Sequence, residues 1–197
     1  EMYLLDRNEK TRKEFVEMIR QELPHETFLE IAIQYYKWNL FQEAEEVLAL
    51  APHQPIVQLW QAVILEQLGE TSASDKVLEE ALSTSAEFVF PFRPETLEPL
   101  RWANQRKGHW KWNYFEGLIR WQNNQPDAAK KLFQDCGITP DFAPFYLAKA
   151  ELFKESPIEA GSALEKAYQL DPASWRTGSK LAQFYAKEKQ VTEALGI

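Results

Sequence analysis

One cysteine, Cys136, is all that the 197 residues contain, so no internal disulfide can form and the fold must stand on packing. The compartment stays open on that evidence, with a cytoplasmic location favoured over a periplasmic one. Glycine is scarce at seven residues, and no Asn-Gly or Asp-Gly turn joins alternating strands, which argues against a hairpin-rich β fold. There is no glycine-rich phosphate loop and no Gly-x-Ser-x-Gly elbow. The three histidines, His25, His53 and His109, lie far apart and form no His-x-x-x-His pair, so nothing calls for a metal or a cofactor. No apolar run approaches the roughly 18 residues of a membrane span, and no signal-peptide pattern opens the chain. Glu1 followed by Met2 reads as the start of a piece of a longer polypeptide. Basic residues are outnumbered 22 to 30, giving a net charge of −8, and such a field repels phosphate backbones and anionic lipid. Nucleic acid is therefore not expected as a partner, nor is membrane insertion.

What the chain does have is apolar residues at intervals of three and four. Phe28, Ile31, Ala32 and Tyr35 recur in this way, as do Ala44, Val47, Leu48 and Ala51. That is the helical period. Small residues also pair at a spacing of twelve: Ala32 with Ala44, Ala62 with Ser74, Gly117 with Ala129, Ala148 with Ala160, and Ala182 with Ala194. Between the members of each pair lie polar or helix-breaking residues, at Trp38-Asn39, Leu68-Gly69, Asn123-Asn124, Lys154-Glu155-Ser156 and Glu188-Lys189. Each reads as the turn of a helical hairpin, with the small residues facing one another across it so that the two backbones approach. Four positions after the second small residue comes Leu48, Leu78, Phe133 or Leu164. Three further on a small residue returns as Ala51, Ala81, Cys136 or Ala167. Pro126 marks one helix start, and Ser156-Pro157-Ile158-Glu159 another, with a serine cap and a capping-box glutamate.

This pattern resembles the tetratricopeptide repeat, a helix-turn-helix unit, over most of residues 25 to 197. The fullest copy holds Leu147-Ala148, Pro157, Ala160, Leu164, Ala167 and Asp171-Pro172. Phe28, Gln58, Asn113, Pro144 and Gly178 stand where the family has its early Trp, and Gln61, Glu116, Arg120 and Glu151 stand at positions usually apolar. The predicted fold is all-α, an α-solenoid of antiparallel helix hairpins (a TPR-like superhelix) with one inserted helix. The chain divides as a single solenoid domain with a sealing N-terminal helix at 10–23, repeat 1 at 25–51 and repeat 2 at 55–82. An inserted loop and helix follow at 83–108, then repeat 3 at 110–138, repeat 4 at 141–170 and a partial repeat 5 at 175–197. The insert opens on Phe88-Val89-Phe90-Pro91-Phe92 and continues as a helix from Pro94 to Arg106. With His109-Trp110-Lys111-Trp112 and Phe142-Ala143-Pro144-Phe145, it is similar to the helical tail of large uncharacterised bacterial proteins whose preceding half resembles β-rich, mutarotase-like folds.

The candidates for chemistry are weaker than their bland readings. Cys136, with His109 or His25 as base, is a conceivable nucleophile, but it holds a repeat position that elsewhere wants a small buried residue. The histidines beside prolines read as solvated loop residues, and Glu43, Glu45, Glu46, Glu79 and Glu80 as exposed helix faces. Trp102, Trp110, Trp112 and Trp121 either pack helices or meet sugar, with Trp112 the indole to test.

The resemblance implies that first helices line a concave groove. Its usual positions fall on Leu29, Ile33 and Tyr36, on Leu59 and Val63, on Tyr114, Leu118 and Trp121, and on Phe145, Lys149 and Leu152. The predicted function is a non-catalytic scaffold whose aromatic groove holds a protein or peptide segment, including another domain of the same parent chain. The alternative is an accessory helical module of a carbohydrate-active bacterial protein. An array that stops in mid-repeat also offers its last face to a second copy.

Overall fold

The computed structural model describes residues 7–19, 22–189, 194 and 196. Among them no strand forms, and the chain is all-α, built of successive helix hairpins. Its contacts divide it into two compact units, Glu1–Val89 with Arg101–Ala103, and Phe90–Leu100 with Asn104–Ile197.

The first unit starts with α1 (Glu9–Met18), followed by the hairpin α2 (Pro24–Lys37) and α3 (Phe41–Leu48), then the hairpin α4 (Pro55–Gln67) and α5 (Thr71–Ser83). The N-terminal helix expected over 10–23 thus runs Glu9–Met18. Ile19 turns extended and Leu23 takes a left-handed conformation ahead of Pro24, which caps off any continuation. Phe15 of α1 meets Phe28 of α2 edge-on at 5.9 Å. α4 packs against α2, α3 and α5 and is buried along most of its length. Its Gln58, in the place of the family's Trp, is buried and accepts a 2.9 Å hydrogen bond from the Thr84 hydroxyl.

In the second unit a 3-10 turn (Pro94–Thr96) leads into α6 (Leu97–Arg106), whose residues 101–103 belong to the first unit. The hairpins α7 (Trp110–Gln122) with α8 (Pro126–Asp135) and α9 (Ala143–Leu152) with α10 (Pro157–Leu170) follow, and α11 (Trp175–Lys187) packs on α10. The second helix of repeat 5 lies largely outside the described residues.

One local mechanism makes the hairpins. Seven residues after Ala32, Ala62 and Gly117, the residues Asn39, Gly69 and Asn124 have φ of 59°, 80° and 56°. Each closes its helix with the paired bonds of a Schellman cap, Asn39 N–H to the Tyr36 carbonyl and Leu40 N–H to that of Tyr35 being the first case. Gly69 and Glu70, and Asn124 and Gln125, repeat the pattern. Leu40, Glu70 and Gln125 are at once the last residue of that cap and the N-cap of the next helix, their carbonyls receiving the N–H of Ala44, Ser74 and Ala129. The twelve-residue spacing of small residues is therefore seven to the left-handed turn, one to the shared cap and four into the second helix. Across the middle hairpin, the buried Ser74 hydroxyl donates to the Ala62 carbonyl at 2.7 Å. Lys189 repeats the left-handed turn seven residues after Ala182.

The turn after Ala148 differs. Glu155 stays outside the left-handed region, and the chain closes instead through Lys154 N–H to the Glu151 carbonyl and Ser156 N–H to that of Phe153. Nor does the capping box form: Ser156 is the N-cap of α10 but its side chain makes no cap bond, while Glu159 accepts from the Gln134 amide at 3.3 Å. Glu116 and Arg120, charged at positions usually apolar, satisfy each other, Arg120 donating to Glu116 Oε1 from Nε at 3.2 Å and Nη2 at 3.0 Å.

Candidate functional site

Aromatic residues one turn apart on α7 meet aromatics of α8 and α9 and fill the space between the three helices. The Tyr114 ring lies 5.5 Å from Phe133, 5.7 Å from Phe142 and 5.4 Å from Phe145, and Phe133 stacks on Phe145 at 5.3 Å. Tyr114 is 1% exposed, and burial, with Cys136 nearby, raises its phenol above the ordinary value. Of the predicted groove positions, Leu29, Ile33, Leu59, Val63, Tyr114, Phe145 and Leu152 are all buried within their units. Tyr36, Leu118, Trp121 and Lys149 keep part of their surface in water.

These four separate into three places. Tyr36 sits between Phe41 and Trp60 of the first unit, at 5.4 Å and 5.3 Å. Lys149 borders an open recess on α9 and α10. Leu118 and Trp121, at the end of α7, line a recess of about 280 Å³ with Phe90, Pro91 and Gln122. Trp121 holds the edge of Phe133 at 6.5 Å on one side, so its indole is anchored by the core and half open to solvent. Phe90 is 64% exposed. It follows the left-handed turn at Phe88, and its neighbours Val89 and Pro91 are buried while Phe90 and Phe92 stay exposed. The sequence reads as an aromatic loop here; it shows neither which of these rings are exposed nor the proximity of Phe90 to Trp121.

The other candidates are occupied by structure. Trp112 is fully buried and its indole N–H donates to the Lys107 carbonyl at 3.1 Å, which leaves it no face for a sugar. The Cys136 thiol lies within 3.4 Å of the Trp110 carbonyl and 3.3 Å of that of Leu132. Burial, only partly offset by Lys149, pushes it up to about 12, and a thiol so protonated is a poor nucleophile. His25 lies in the first turn of α2, half-buried, rather than in a loop. His109 caps α7, its Nδ1 accepting the Lys111 N–H at 3.2 Å. Glu45 is half-buried, and burial, with Glu46 and Glu70 adding, raises its carboxyl.

No protein-family model matches this chain, and no curated protein does. Among solved structures, a double mutant of MamA RS-1 is 16% identical with a TM-score of 0.44, over 87% of this chain and 89% of that chain. MamA from residue 41 to its end, from Desulfovibrio magneticus RS-1, is 16% identical with a TM-score of 0.43 over the same shares of 87% and 89%. MamA AMB-1 is 15% identical with a TM-score of 0.43, over 89% of this chain and 88% of that one. At these identities the likeness extends no further than helical architecture.

Proposed function

We propose that the chain is a non-catalytic helical-repeat scaffold of the tetratricopeptide type, which binds a peptide segment or a neighbouring domain at the aromatic recess of α7. The observation that carries this reading is the exposed Phe90 ring beside the half-exposed Leu118 and Trp121. Aromatic side chains fixed by packing on one side lose little conformational entropy on binding, which is why such residues dominate the energetics of protein interfaces. The recess is open and has no charged lining residue, so an apolar anchor of a partner enters it without stripping water from an ion.

The test compares partners retained by the immobilised chain with those retained by the Phe90→Ser, Trp121→Ala variant. The partner is retained by the former and lost by the latter, with helical circular dichroism unchanged. Retention of the same partners by the variant rejects this recess as the site.

A further inference from the structure

The Phe90 recess lies wholly within the second unit, and two of its lining residues carry polar hydrogens that the fold leaves unused. The indole N–H of Trp121 makes no hydrogen bond among the described residues and is not closed off from solvent. The exposed side-chain amide of Gln122, the next residue, makes none either. Other polar groups nearby are engaged. The Trp112 indole N–H donates to the Lys107 carbonyl at 3.1 Å, Asn123 donates to that of Ile119 at 2.8 Å, and Arg120 donates to Glu116 and Gln125.

An occupant has to meet these two donors as well as the rings. No lining residue is charged, so neither an acidic nor a basic segment gains there by its charge. At about 280 Å³ the recess is below the roughly 300–1,000 Å³ of small-molecule sites, and it admits one or two side chains of a chain passing over it. A helix lying across it brings apolar side chains but no available carbonyls, because its own backbone bonds use them, and both donors would lose water without replacement. A strand has no sheet edge to extend, since no strand forms among the described residues. A sugar ring carries hydroxyls around its rim, and one indole N–H with one amide leaves most of them unmet. A polyproline II segment meets both demands. It makes no internal hydrogen bonds, so its carbonyls accept, and its proline rings are apolar, rigid and without N–H groups of their own.

We propose that the recess docks a proline-rich polyproline II segment of a partner protein. A prolyl ring sits between Phe90 and Trp121, and carbonyls of the segment accept from Trp121 Nε1 and the Gln122 amide. This names the partner of the site proposed above and rests on that reading. With about three residues per turn, such a segment returns a proline to the same side at every third position.

Fluorescence anisotropy of labelled synthetic peptides with the full chain tests it. A peptide of repeated Pro-Pro-Leu binds saturably and with little dependence on salt, and the same peptide with Ala for every Pro does not bind. Trp121→Phe keeps a ring against Phe133 but removes the N–H, and it weakens binding about threefold to tenfold. Gln122→Leu weakens it separately. Helical circular dichroism is unaltered in both. No binding of the proline peptide, equal binding of the alanine peptide, or full-strength binding by either variant overturns the proposal. Binding of an amphipathic leucine-rich helical peptide instead, abolished by Trp121→Ala, overturns it while leaving the recess as the site. Partners retained equally by the parent and by Phe90→Ser, Trp121→Ala remove the recess itself. Trp121-dependent binding of a soluble β-glucan oligosaccharide without binding of the proline peptide overturns the proposal in favour of sugar.

Discussion

The α-carbon of Gly117 lies flush against the Phe133 ring: a Cβ at 117 would stand 2.8 Å from Phe133 Cδ2 and 2.9 Å from Cε2. Phe133 cannot give way, because it is fully buried, stacked on Phe145 and met edge-on by Tyr114 and Trp121. Gly117→Ala gains about 1 kcal/mol of helix propensity, but overpacking a rigid core costs about 1–3 kcal/mol, so the variant is destabilised. At Gly161 the same 2.8 Å approach is to the Cε1 and Cζ of Phe184, the far end of a half-buried side chain at the edge of the cluster of Ala150, Ala163, Leu164 and Leu181. Gly161→Ala is therefore neutral or stabilising. Urea midpoints of the two variants check the contrast, and equal shifts would refute the account.

The left-handed turns make a second prediction. Asn39→Ala and Asn124→Ala force an unfavourable φ on a residue without the local hydrogen bonding of asparagine, and each costs about 1 kcal/mol. Glycine at either position is tolerated or stabilising. Glu155→Gly brings no such gain, because its turn is not left-handed. Thermal denaturation of the five single variants and the parent measures the pattern.

These turns were also the most legible part of the fold. The small-residue pairs located them, and Asn39, Gly69 and Asn124 are residue types that enter the left-handed region cheaply. The Glu155 turn gave the same spacing but lacks such a residue, and it closes by other bonds. Repeat spacing told which side of a helix Leu29, Leu59 and Phe145 occupy, yet not how deeply neighbouring helices cover that side, which is a property of tertiary packing. The capping box at Ser156 failed for a related reason: Glu159 has a long-range partner in Gln134 that no local rule foresees.

A third prediction concerns pH. Burial, then the charge of Lys111, holds the His109 imidazole below its ordinary value of 6.5, and its Nδ1 must stay unprotonated to accept the Lys111 N–H. The unfolded chain takes up this proton first as pH falls, so His109 contributes stability above 6.5 that is lost between 6.5 and its lower folded value. His109→Asn preserves a side-chain cap without titrating, and its stability changes less over that interval. Chemical denaturation at several pH values should show the parent curve falling more steeply than that of the variant, and parallel curves would dismiss the role.

The shared cap residue also governs where such a chain can lengthen. With Leu40, Glu70 and Gln125 each ending one helix and beginning the next, a hairpin has no slack. One added residue there would rotate the following helix by about 100° and carry its apolar stripe away from its partner. The joints between successive hairpins are under no such constraint, and it is at one of them, between Ser83 and Trp110, that this chain accommodates its surplus segment. The protein acquires new surface by growing at its permissive joints, while the hairpins keep their fixed measure.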